Sequence, residues 1–263
     1  MRIGVVGAGR MGRPMVRRLV DAGHDVRAVG RTEARRAEVA SLGARPVGAL
    51  AEAARDADAV VVCLFTDDQV RDVCLDGELV AAMPSGSVLV LHTTGSPRTA
   101  QAIAQRFGHV DVVDAPVSGG PHDVAAGRVT VFVGGTDDAV ARVRPVLDAY
   151  ADPILRAGAT GAGQLVKLVN NAMFAAQIGL VAEGARLGAR LGIAEKPLLE
   201  ALVHGSAASR ALGMVAGAGS ADAFLAAVGG FIGKDVAVVR ATAAELGGDL
   251  GALEPLVDVA LPG

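Results

Sequence analysis

Residues 164–171, Gln-Leu-Val-Lys-Leu-Val-Asn-Asn, set Lys167 and Asn171 four positions apart in a run dominated by leucine and valine. That spacing puts the amine and the amide on one face of a helix. A lysine so placed either snorkels to water or is held in a cavity where its amine gives and takes a proton. Arginine would serve the first purpose, and of the 25 basic residues only Lys167, Lys196 and Lys234 are lysine. A guanidinium stays charged, so only proton transfer requires the rarer residue.

Two further stretches have composition suited to holding anions. The segment Asp114-Ala115-Pro116-Val117-Ser118-Gly119-Gly120 follows an apolar run and combines a hydroxyl with backbone amides that can cradle a carboxylate, or is an ordinary turn built from proline and glycine. Gly7-Ala8-Gly9-Arg10-Met11-Gly12 fits G-x-G-x-x-G between a first strand and a first helix, where a dinucleotide pyrophosphate is expected on the helix N-terminus. The first glycine permits the tight turn, the second lets the pyrophosphate approach, and the third lets helix and strand pack closely. At the end of the second strand, where a carboxylate would hold the ribose of NAD, the chain reads Gly30-Arg31-Thr32, with Arg35 and Arg36 following. Guanidinium groups pair bidentately with phosphate, so NADP is preferred over NAD, although Arg35 and Arg36 also suit a solvated helix face.

Composition narrows the remaining classes. A net charge of −3 with both signs interspersed gives no field for nucleic acid or an anionic membrane, and points to a small-molecule partner. Cys63 and Cys74 form neither a disulfide framework nor a metal-ligand spacing, which fits a reducing cytoplasm. His24, His92, His109, His122 and His204 are scattered away from other ligands, so no metal is expected; His122 reads as a solvated loop residue. The first apolar run is too short for a targeting signal, and the apolar stretch 164–192 carries Lys167, Asn170, Asn171, Gln177 and Glu183, which favours a buried helix over a membrane span.

The elements that must position these residues follow from periodicity. Apolar runs without alternation at 2–7, 26–29, 59–64, 88–91, 110–113 and 129–133 read as strands of a parallel sheet covered on both faces. Helical patterns at 13–22, 33–42, 97–107 and 137–149 alternate with them, which gives an α/β, doubly wound Rossmann domain over residues 1–160. Beyond a boundary near 155–162 the chain reads as helices only, at 163–192, 195–204, 230–247 and 252–260, giving an all-α domain over 161–263.

Taken together, the glycine turn continuing into Arg13-Pro14-Met15, the Asp114–Gly120 loop with Ala126-Gly127 and Val133-Gly134-Gly135, Gly161-x-Gly163-x-x-x-Lys167-x-x-Asn170-Asn171, and Lys234-Asp235 resemble the β-hydroxyacid dehydrogenases along nearly the whole chain. That family includes 3-hydroxyisobutyrate dehydrogenases and semialdehyde reductases. The resemblance implies an active site in the cleft between the two domains, where hydride passes between nicotinamide C4 and a small carboxylate substrate. By resemblance, Lys167 is the general acid/base, Asn171 positions the substrate, Ser118, Gly119 and Gly120 bind its carboxylate, and Lys234 lies near substrate and cofactor beside Asp235. Thr93-Thr94-Gly95-Ser96-Pro97 is similar to the family's turn on the nicotinamide side, making Thr94 a candidate cofactor contact together with Leu64 and Phe65.

Three departures accompany the resemblance. Gly30 stands where NADP-using members have asparagine, Leu64-Phe65-Thr66 replaces a Leu-Pro turn, and the sequence closes at Leu261-Pro262-Gly263 before the family's usual last helices. An imine reductase and a weakly catalytic NADP-binding protein are the alternatives, and the catalytic lysine weighs against the first. Small residues Gly179, Gly184 and Gly188 along the apolar helix suit close packing in a homodimer or homotetramer.

Overall fold

The structure, a computed structural model, describes residues 1–261; the closing Pro262-Gly263 named above lies outside the described residues. The chain divides into two compact units, Met1–Lys167 and Leu168–Gly263.

The first unit alternates strand and helix: β1 (Arg2–Val6), α1 (Gly12–Asp21), β2 (Asp25–Val29), α2 (Glu33–Ser41), β3 (Arg45–Val47), α3 (Leu50–Ala54), β4 (Ala59–Val62) and α4 (Asp67–Arg71), which runs into a π-turn. It continues with β5 (Val88–Leu91), α5 (Pro97–Arg106), β6 (Asp111–Asp114), β7 (Val117–Ser118), α6 (Pro121–Ala125), β8 (Val129–Gly134), α7 (Asp137–Asp148) and β9 (Ala151–Gly158). The sheet order is β3-β2-β1-β4-β5-β6-β8-β7, with β9 also on β8; the six strands from β3 to β6 are parallel and β8 is antiparallel to β6 and β7. This is the Rossmann arrangement.

Strand pleating explains why the central runs lack polar alternation. Val61, Val88 and Val90 face one core with Met15, Leu19 and Val143, whereas Val60, Val62, Leu89 and Leu91 face another with Ala100 and Ile103. Each strand therefore needs apolar side chains on both sides. Unlike them, β9 lies over residues expected to be connecting chain; most of its residues are at least partly exposed, so it carries no apolar run to mark it.

The second unit contains only helices among the described residues: the greater part of α8 (Ala162–Arg190), then α9 (Glu195–Leu202), α10 (Arg210–Ala218), α11 (Ala221–Glu245) and α12 (Glu254–Val259). Its core joins Ala175, Ile178, Leu199, Leu212, Phe224, Val236 and Val257. By length and composition α8 is apolar enough to cross a membrane, but half of its most apolar window is already buried against protein. Helix α11 begins nine residues before the expected residue 230, at a Ser220 hydroxyl that accepts the Ala223 N–H.

Candidate active site

The glycine turn links β1 to α1. Gly7 has φ +102°, a region L side chains rarely adopt, and a Cβ there would lie 2.1 Å from the Cys63 carbonyl oxygen. At Gly12 a Cβ would lie 2.1 Å from the Gly7 carbonyl oxygen, so helix and turn meet without space for a side chain. Gly9 differs: nothing lies within 4 Å of its Cβ position, leaving an open approach to the backbone. Tight turn, open approach and close packing are the three roles a pyrophosphate loop needs, so the residues present fit a dinucleotide.

At the end of β2, Arg31 is exposed. Arg35 donates to Glu38 at 2.7 Å, and Arg36 donates to the Gly30 carbonyl. Thr32 caps α2, its hydroxyl accepting the Arg35 N–H. At Gly30 a Cβ would approach the Arg36 backbone nitrogen to 2.8 Å, so a side chain there would require the start of α2 to shift.

The Leu64 N–H donates to the Thr93 hydroxyl at 2.8 Å, joining the end of β4 to the turn containing half-buried Thr94. Phe65 presents its ring to solvent. Asp67 braces the same turn from below: Thr99 donates to it, and a Cβ on Gly95 would lie 2.0 Å from its Oδ1. Burial pushes the Asp67 carboxyl up, against the Thr99 hydrogen bond that lowers it.

Ser118 ends β7 half-buried, and Gly119 is exposed. Not all the amides of this loop are free, as its glycines suggest: the Gly120 N–H already donates to Asp123 Oδ2 at 2.8 Å, three residues along at the start of α6. His122 lies in that helix rather than in a loop, with its ring largely exposed and 3.3 Å from Asp123.

The lysine is buried. Lys167 is 8% exposed, on the second turn of α8, which begins beside the fully buried Asp114 at the end of β6. Asp114 accepts the N–H groups of Gly161 at 2.6 Å and Gln164 at 2.8 Å. Burial pushes its carboxyl up, and these amide donors pull it back. In the second unit, Asn171 is 7% exposed, donates to Asp235 Oδ2 at 3.0 Å and accepts from Asn170. Lys234 lies 3.3 Å from Asp235 Oδ1, both side chains mostly buried, so this pair is not the surface ion pair that its spacing alone suggests. Composition gave no signal for Asp123 or Gln164; their only sequence marks are a carboxylate three residues after Gly120 and an amide three before Lys167.

No group of three or more potential metal ligands occurs among the described residues. Two family profiles cover the chain in succession: the NAD-binding domain of 6-phosphogluconate dehydrogenase over residues 2–161, and the NAD-binding domain of NADP-dependent 3-hydroxyisobutyrate dehydrogenase over 161–255. A probable 3-hydroxyisobutyrate dehydrogenase of Mycobacterium tuberculosis is 35% identical over 202 residues, 76% of this chain and 68% of that protein. An NAD-dependent L-serine dehydrogenase of Pseudomonas aeruginosa is 32% identical over 214 residues, 80% and 72% of the two chains. The structure of the M. tuberculosis 3-hydroxyisobutyrate dehydrogenase with L-serine matches with a TM-score of 0.88 at 28% identity, covering 98% of this chain and 91% of that one. An imine reductase from Pseudomonas sp. shares the fold, with a TM-score of 0.64 at 24% identity over 76% of this chain and 70% of that one. The glycine turn, the buried lysine and these relatives agree: the chain belongs to the β-hydroxyacid dehydrogenase family, as a nicotinamide-dinucleotide-binding oxidoreductase of the 3-hydroxyisobutyrate dehydrogenase type.

Proposed function

We propose that this enzyme is an NADP-preferring reductase or dehydrogenase of small β-hydroxy acids and their semialdehydes, with Lys167 as general acid/base. The observation that carries the reading is the burial of Lys167 on the turn of α8 that directly follows the Asp114 anchor. When bound, the cofactor supplies or accepts hydride at nicotinamide C4. Lys167 Nζ gives a proton to the carbonyl oxygen in reduction and takes it from the hydroxyl in oxidation, so the alkoxide never has to form unassisted. Asn171, one turn along the helix and held by Asp235, orients the substrate; Ser118 and Gly119 meet its carboxylate, and the charge of Lys234 favours the same anion. Arg31 pairs with the 2′-phosphate that separates NADP from NAD. A homodimer or homotetramer, in the cytoplasm, completes the proposal; the exposed Val169, Met173, Leu180 and Leu187 along α8, with Leu191 just past its end, supply an apolar stripe for it.

The test offers the purified protein NADPH and NADH, then glyoxylate, succinic semialdehyde, tartronate semialdehyde, 3-hydroxyisobutyrate, L-serine and a cyclic imine. Turnover of a carboxylate substrate, lost in Lys167→Ala while NADPH still binds, is the expected result. Reduction of the imine alone, or undiminished turnover in Lys167→Ala, sinks the proposal.

A further inference from the structure

Gln164 is 3% exposed in the first turn of α8, and both ends of its amide are committed to one short segment. Its Oε1 accepts the Gly95 N–H at 3.0 Å and its Nε2 donates to the Thr93 carbonyl at 2.8 Å, so the side chain brackets Thr94. Its own N–H is fixed by Asp114, beside which there is no slack: a Cβ at Gly134 would lie 2.4 Å from Asp114 Oδ1, and one at Gly163 would lie 2.5 Å from the Phe132 carbonyl oxygen. Lys167 follows three residues later, on the next turn and the same face of α8. A solvated surface would offer water to both ends of such an amide; here each backbone partner is buried and depends on Gln164.

We propose that Gln164 is a positioning residue for hydride transfer, fixing the Thr94 turn against the helical turn that bears Lys167. This rests on the reading of Lys167 as proton donor and Thr94 as the nicotinamide contact. One rigid amide thereby sets the spacing between the cofactor ring and the proton donor, and the reacting atoms need that spacing held closely.

The experiment compares Gln164→Met, which keeps length and loses both hydrogen bonds, with Gln164→Glu, which keeps the acceptor for Gly95. With whichever of NADPH or NADH binds more tightly, the readouts are Kd, kcat, KM, the primary isotope effect from C4-deuterated cofactor, and the fluorescence of the bound nicotinamide. Gln164→Met is expected to keep Kd and KM within about threefold, lower kcat by about tenfold or more and alter the isotope effect, with Gln164→Glu intermediate. An unchanged kcat, or a loss that tracks only the unfolded fraction with an unaltered isotope effect, overturns the proposal. If the wild-type protein turns over no substrate, the functional reading fails separately. Gln164 is then judged by fluorescence: a change in the emission of the bound ring at unchanged Kd upholds its role, and identical emission overturns it.

Discussion

His92 Nε2 lies 2.8 Å from the hydroxyl of Tyr150, while Nδ1 faces the Ala115 carbonyl. A carbonyl only accepts, so the ring proton sits on Nδ1 and Tyr150 donates to Nε2. Both side chains are buried, and burial pushes the His92 imidazole down to about 4 from its ordinary 6.5. The unfolded chain therefore takes up a proton that the folded chain refuses between those values. Stability from this group is fully present above pH 6.5 and is lost as pH falls toward 4, by on the order of 3 kcal/mol. Thermal unfolding of the wild type should weaken through this window more steeply than that of His92→Phe. Parallel curves would refute the assignment.

Glycines within one helix should behave oppositely. At Gly163 a Cβ would meet the Phe132 carbonyl oxygen at 2.5 Å and the Asp114 carbonyl oxygen at 2.8 Å, both backbone atoms. At Gly184, also in α8, nothing lies within 4 Å. Alanine is the better helix former by about 1 kcal/mol, so Gly184→Ala should stabilise by roughly that amount. Gly163→Ala should destabilise by about 1–3 kcal/mol despite the same gain, because strand and helix must separate. Urea unfolding midpoints check the signs, and two shifts in the same direction contradict the steric account.

What was legible in the sequence was whatever one element states about itself. The glycine turn announces its own geometry, and the spacing of Lys167 and Asn171 places them on one helix because both lie within it. Contacts between distant segments were not legible: Gln164 reads as a polar interruption of an apolar run until the fold brings Thr93 and Gly95 to it. Strand β9 was missed because its exposure removes the apolar signal, and the start of α11 because Gly229-Gly230 interrupts an alanine-rich stretch that reads as loop. Asp123 shows the same limit, since only the folded loop reveals that it takes the Gly120 amide.

Asp235 separates two roles that the sequence could not. The resemblance makes it a neighbour of the cofactor, whereas the structure gives its Oδ2 to Asn171 at 3.0 Å. As a support for Asn171, Asp235→Ala should raise KM for the carboxylate substrate by about tenfold, with NADPH affinity within about threefold. A cofactor contact would reverse the pattern, so loss of NADPH binding with an unchanged KM rejects the supporting role.

Arg31 and Arg35 should contribute unequally to cofactor choice. Arg35 is engaged by Glu38 at 2.7 Å, so its charge is partly offset before any phosphate arrives, whereas Arg31 is exposed at the end of β2. A charge-assisted hydrogen bond is worth about 1.5–3 kcal/mol, so Arg31→Ala should weaken NADPH by about 10- to 100-fold. NADH lacks the 2′-phosphate and should bind Arg31→Ala as it binds the wild type. Arg35→Ala should cost NADPH less than Arg31→Ala, because Glu38 already offsets much of the Arg35 charge. Fluorescence titrations of both cofactors against both variants decide the matter: equal losses of NADH and NADPH in Arg31→Ala would mean that the arginine shapes the loop without reading the phosphate.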